Sequence, residues 1–329
     1  MSFVLSVCKR LFLIGLKNVM SKLKYFPFGQ EFDLRMGTAV FTDKDRLIET
    51  DEHYIKEIAA KRNLLAENHA YYYRANENTE LAQWDVVDKI LTDLSLFEPE
   101  NFILKKDGNN WHWHNKKLNE SVDFVFGDKT TLPLEPLDWV GGQVQEDLVI
   151  LSNNDKAALV AGQLCFANGW CLNDKFDQPF LTIHAPAPAM VAPTMQSAQK
   201  LMERILVSKP VWRSSWNFKI WNHLDLSSKY NIAYNEALNL IAPGLHAGNI
   251  GDALYIRIER QTLTRLPRSN NILFGIHMYQ NTLNDEQLTK EQATRMLNVI
   301  RTTPTEMLNY KAVSPFKNAL VKYLENIIG

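Results

Sequence analysis

The chain has 329 residues, 46% apolar and 22% charged, with 36 Lys and Arg against 37 Asp and Glu for a formal charge of −1. This composition excludes a wholly disordered or collagen-like chain, and the even charge balance lacks the basic excess of a dedicated nucleic-acid binder. Three cysteines, Cys8, Cys165 and Cys171, are too few for a disulfide framework or a four-thiolate iron–sulfur cluster and point to a reducing, cytoplasmic compartment.

Residues 1–30 read as a basic and apolar leader, expected to be poorly ordered. Lys9, Arg10, Lys17, Lys22 and Lys24 all precede the first acid, Glu31, and enclose the apolar run 11–16. That run is far too short to span a membrane, so no transmembrane segment is expected. Residues 31–140 form a helical region with one hairpin. In 51–72, Ile55, Ile58, Ala59 and Leu65 share a helical face, and Leu81, Trp84, Val87, Leu91 and Leu94 make a second stripe. Residues 102–114 then read as a hairpin turning at Asp107-Gly108.

From 141 to 285 the pattern changes to strands. Runs 148–151 and 158–166 flank the turn signal Asn153-Asn154-Asp155, and 180–184 is a short extended run. Thr194 opens a helix bearing Met195, Ala198, Leu201 and Ile205. Strands follow at 211–218, 253–263 and 272–279. The expected fold class is α+β, a PAS-like antiparallel sheet with helices on one side, flanked by N-terminal and C-terminal helices. Residues 286–329 supply the latter. Thr289-x-x-Gln292 spells a capping box, Thr303-Pro304-Thr305-Glu306 a helix start, and Ser314-Pro315 opens a last helix ended by Gly329.

The common cofactor motifs are absent: no G-x-G-x-x-G, no phosphate-binding glycine loop, no H-E-x-x-H and no C-x-x-C. In Trp111-His112-Trp113-His114 the two histidines share one strand face. The simpler expectation is a buried tryptophan face and a wet histidine face. In the run from Leu254 to Arg260, Leu254, Ile256 and Ile258 point one way and Tyr255, Arg257 and Glu259 the other. Arg260 then falls on the apolar side, where it needs a protein carboxylate or an anionic cofactor, unless a bulge returns it to water. His184, just before Pro186 and Pro188, is either a rigidly held metal-binding imidazole or a plain strand exit. Cys165 and Cys171 are possible thiolate ligands or simply small apolar residues.

A set of segments recurs in order in one family. They are Val144-Gln-Glu-Asp147-Leu148, Cys165-Phe166, Gly169-Trp170, Lys175, Ile183-His184-Ala-Pro186, Arg213 with Trp216, and Arg257-x-Glu259-Arg260-Gln261-Thr262-Leu263-x-Arg265-Leu266-Pro267. On these residues, between about Arg35 and Lys311, the chain resembles the haem-dependent oxidative N-demethylase-like family. Ala167, Ser215 and His277 depart from its pattern. The resemblance implies haem b in a PAS-like core at 141–285, with His184 as the axial iron ligand. Arg213, Trp216, Arg257, Arg260 and Arg265 would hold the cofactor, and Glu259 and Trp170 would act on substrate. It further implies a small methylated amine and O₂ as substrates, with electrons passing from NAD(P)H through flavin or iron–sulfur reductase subunits, and formaldehyde release. The alternative is a non-catalytic haem-binding or gas-sensing PAS-like protein.

Overall fold

A computed structural model describes residues 23–284 and 288–329, so the basic part of the leader, residues 1–22, lies outside the described residues. The rest of the leader is packed rather than loose: Phe28 is fully buried and its ring stacks 4.9 Å from that of Trp216.

In chain order the elements are β1 (Ala39–Val40), α1 (Tyr54–Tyr72), β2 (Tyr73–Ala75), α2 (Glu80–Phe97), β3 (Phe102–Asp107), β4 (Asn110–Asn115) and β5 (Glu120–Val125). There follow α3 (Pro136–Gly141), β6 (Asp147–Leu151), β7 (Leu159–Gln163), α4 (Leu172–Lys175), α5 (Phe180–His184), α6 (Ala192–Arg204) and β8 (Val211–Lys219). The last are α7 (Asn231–Ile241), α8 (Ile250–Ala253), β9 (Tyr255–Arg265), β10 (Ile272–Thr282), α9 (Lys290–Thr302), α10 (Thr305–Tyr310) and α11 (Lys317–Ile328). The molecule is α+β, with a seven-stranded antiparallel sheet in the order β1-β8-β9-β10-β6-β7-β2 and a separate sheet β3-β4-β5.

The expected hairpin is present and gains β5 as a third strand. Strand alternation buries Trp111 and Trp113 and turns His112 and His114 outward, where they pair with Asp123 and Ser121. Gly108 turns the hairpin at φ +56°, a left-handed backbone that a side chain would strain. The capping box forms as spelled: Gln292 N donates to Thr289 Oγ1, and Thr289 N to Gln292 Oε1. The next start does not. Thr303 donates its hydroxyl to Val299 O, closing α9, and α10 begins after Pro304 without a side-chain cap.

Two further expectations are corrected. The run 180–184 is the short helix α5, not a strand. Five residues cannot distinguish the two periods, and Phe180, Ile183 and His184, at i, i+3 and i+4, gather on one helical face. Helices also cover both faces of the large sheet rather than one. On one face, Trp216, Phe218, Ile256, Ile258 and Tyr279 pack with α9–α11, while Leu148, Ile150 and Leu273 pack with α1–α3. On the other, Val149, Ile276 and Met278 pack with Leu172, Phe176 and Met202 from the connection between β7 and β8.

Candidate functional site

The pleat of β9 sorts the charged residues. Pairing with β8 and β10 is unbroken along β9, so no bulge intervenes. Arg257, Glu259, Gln261 and Arg265 point toward the β7–β8 connection, and Arg260 points toward the N-terminal segment and the C-terminal helices. Arg213, Ser215 and Lys219 on β8 join the first group by register, and Trp216 the second.

On the first face α5 sets His184 over the sheet. The imidazole Nδ1 lies 2.8 Å from Phe180 O and the ring 4.4 Å from the Phe180 ring. A carbonyl can only accept, so Nδ1 carries the proton and Nε2 keeps its lone pair, as a metal-binding histidine requires. Burial lowers the His184 pKa, and the charges of Lys175 and Arg213 add to that, so the ring is neutral at pH 7. Trp170, Phe180, Ile183 and Leu263 are half-buried apolar neighbours. Gly169, at φ +80°, makes the turn that presents Trp170, and the Lys175 ammonium stands 4.0 Å above the indole.

Glu259 is half-buried at the centre of this face. Gln261 Nε2 donates to it at 2.9 Å, with longer contacts from Asn168 and Ser215 at 3.4 and 3.5 Å. Lys175, Arg213, Lys219 and Lys311 all feel its charge, yet among the described residues none of the four lies within ion-pair distance of any carboxylate. Burial lowers Lys175, Lys219 and Lys311 to about 8 each. Lys311 reaches the open edge of β8 and donates to Trp216 O at 2.9 Å. Arg213 Nε is buried without a hydrogen-bond partner. Such a surplus of desolvated, unpaired cations is costly unless an anion joins them. The donor set therefore fits a dianionic group with a metal to ligate: one imidazole lone pair, apolar walls and several cations. Among the described residues no three His, Cys, Asp or Glu side chains converge as a chelate.

The structure brings together His184, Trp170, Arg213 and Glu259 of the expected residues and separates the others. Arg257 shares the face, but its guanidinium is committed to Phe166 O, Leu224 O and His223 O at 2.6, 2.8 and 3.1 Å. It ties two connecting loops to the sheet. Arg265 caps the C-terminal end of α6 through Met202 O and Ile205 O. Trp216 lies on the opposite face against Phe28. Arg260 lies there too, fully buried, with the Glu49 carboxylate 3.7 Å away and Arg46 O at 2.5 Å, so its partner is a protein carboxylate. Cys165 is buried and its thiol pKa is pushed up, which disfavours a thiolate; Cys171 is buried before α4.

Sequence reasoning gave the lysines no role. Lys175 is one of the recurring residues, Lys311 ends the stretch over which they recur, and Lys219 has the strand parity of Arg213, which was the available signal. Beside Arg260, His277 is fully buried between Glu146, 2.9 Å from Nδ1, and Asp51, 3.7 Å from Nε2. Burial alone would lower its pKa, but these carboxylates overcome that and raise it to about 10. Among the described residues no helix is long and apolar enough to cross a membrane.

The model of one protein family matches residues 40–321, most of the chain, and that match spans His184, Trp170, Arg213, Glu259 and the three lysines. The chain belongs to the family described as haem-dependent oxidative N-demethylase, alpha subunit-like.

Proposed function

We propose that this chain binds haem b over the face carrying Glu259 and catalyses oxidative N-demethylation of a small methylated amine. The observation that carries the reading is His184, with Nδ1 fixed on Phe180 O and Nε2 left as a lone pair beside unpaired cations. His184 would ligate the iron, and Arg213 and Lys175, the two cations that bear on it, would hold the propionates. Bound haem supplies activation of O₂. In the overall reaction one oxygen atom enters an N-methyl C–H bond and the other leaves as water, with two electrons and two protons consumed. The carbinolamine C–N bond then breaks, giving formaldehyde and the demethylated amine.

The chain's own residues bind and exclude. Trp170, Phe180 and Leu263 keep water from the reacting methyl group, and Glu259 accepts the substrate N–H. The five central strands run β8-β9-β10-β6-β7, and the β7–β8 connection roofs the cofactor side, which supports a PAS-like core. The lack of a nucleotide-binding motif and of cluster-forming cysteines supports electron supply from NAD(P)H through a separate flavin or iron–sulfur reductase. Buried free thiols Cys165 and Cys171 suit a cytoplasmic setting.

The test is an absorption spectrum of the purified, haem-supplied protein, oxidised and dithionite-reduced, beside His184→Ala. A Soret band that is lost or strongly shifted in the variant is expected. Absence of any band in the native chain, or an unchanged band in the variant, overturns the assignment. Amine- and reductant-dependent formaldehyde release then separates catalysis from haem binding alone.

A further inference from the structure

The charges around Glu259 do not suit a simple alkylammonium substrate. Lys175, Arg213, Lys219 and Lys311 oppose one carboxylate, leaving three positive charges. Arg257 is left out of this balance because Asp147 and Asp225 also face it. Asp174, beside Lys175, is turned back to accept from Cys171 N at the start of α4. Two propionates still leave one positive charge, and a substrate that brings only a cation adds to it.

The four cations divide by position. Lys175 and Arg213 bear on His184. Lys219 and Lys311 do not; they lie beyond Ser215 and Glu259, where Arg257 and Lys311 bear on Lys219 and Arg213 bears on Lys311. Lys219 is four residues along β8 from Ser215, about 13 Å at strand rise. Lys311 crosses the open edge between them, at Trp216 O. Its ammonium also lies 4.3 Å from the Trp216 ring. Neither lysine has a carboxylate partner among the described residues. One side of the site is thus a carboxylate, and the side away from His184 is a pair of unneutralised ammonium groups.

Resting on the haem assignment above, we propose that the substrate is a zwitterionic N-methyl amino acid, its ammonium on Glu259 and its carboxylate on Lys311 and Lys219. The zwitterion adds no net charge where an alkylammonium would add one, and its carboxylate gives the two lysines an anion and points the N-methyl group back toward the His184 side. An alkylamine of the same skeleton lacks the group that the two lysines would hold.

The experiment uses the haem-loaded full chain and reads binding from the Soret difference spectrum, at one pH and ionic strength. The probes are N-methylglycine, N-methylethylamine, which has the same skeleton without the carboxylate charge, and dimethylamine. N-methylglycine is expected to bind at least about 10-fold more tightly than either amine, and Lys311→Met and Lys219→Met each to weaken it about 10-fold while the amines, relieved of a repelling cation, bind no more weakly than before. The comparison of probes on the native chain stands even if a variant fails to fold. Equal or tighter binding of the amines, a lysine variant that weakens all three probes alike, or no perturbation by N-methylglycine overturns the proposal. A Soret band that depends on His184, together with preference for dimethylamine, removes only the substrate assignment. Absence of a band removes the haem assignment as well.

Discussion

His184 and His277 are held in opposite electrostatic states on opposite faces of one sheet. His184 has cations for neighbours and a carbonyl on Nδ1, so it is neutral and its Nε2 can donate a lone pair. His277 has Glu146 and Asp51, with Glu57 nearby, so it is charged. Replacing His277 leaves buried carboxylates without their cation, and His277→Gln is expected to cost about 3–5 kcal/mol at pH 7. The sign of its pH dependence follows from the raised pKa. The stability it contributes is complete below the unfolded value of about 6.5 and is lost as pH rises toward about 10. Urea unfolding at pH 6, 8 and 9.5 should show the gap between the two proteins narrowing. A gap that widens with pH would mean that His277 is neutral in the native state. Neither state was legible in the sequence. In the sequence His277 is only a departure from pattern, because Asp51 and Glu146 reach it from two loops far apart in the chain.

At the scale of elements, β9 was the most legible segment. Its alternation placed Arg260 opposite Arg257 and Glu259, and the pairing of β9 with β8 and β10 bears that out. The partners were not legible. An arginine with an apolar side and another with a polar side look alike as cofactor ligands. Only the folded loops show Arg257 on Phe166 O and Leu224 O, and Arg265 on the end of α6. Arg265→Met should therefore lower stability by about 1.5–3 kcal/mol, the range of a hydrogen bond to a charged group, without moving the Soret band. A shifted band with unchanged stability would restore a cofactor role. The helix α5 was misread because an apolar run of five residues carries both periods. The lysines had no legible role because Lys175, Lys219 and Lys311 come into the field of Glu259 only after the β7–β8 connection folds over one face and α10 reaches the edge of β8.

Across the whole molecule, the N-terminal and C-terminal regions clamp the sheet from the side away from the site, with Lys311 alone of the site lysines reaching in from them around the edge of β8. Phe28 joins the leader to Trp216 and the core of α9–α11, and β1 and β2 extend the sheet at its two edges. Phe28→Ala is expected to cost about 3–5 kcal/mol by opening a cavity in that core, measured as a shift of the urea midpoint, with haem spectra unchanged below the transition. Loss of haem from the folded variant would mean that the two faces are more tightly coupled than their separate cores indicate. The antiparallel sheet and the C-terminal helices were readable from turn signals and helix-start signals. Cover on both faces was not, since helical stripes name a buried side and not the surface that buries it.

The alternation of β9 has one more consequence. Glu259 and Arg260 are adjacent letters serving two unrelated compartments, so the strand is read in a frame. Insertion or loss of a single residue upstream in β9 would turn Arg260 into the cleft, send Glu259 among Glu49, Tyr25 and Tyr279, and exchange every later residue in the same way. Along this strand the protein can accept changes of side chain but hardly a change of length.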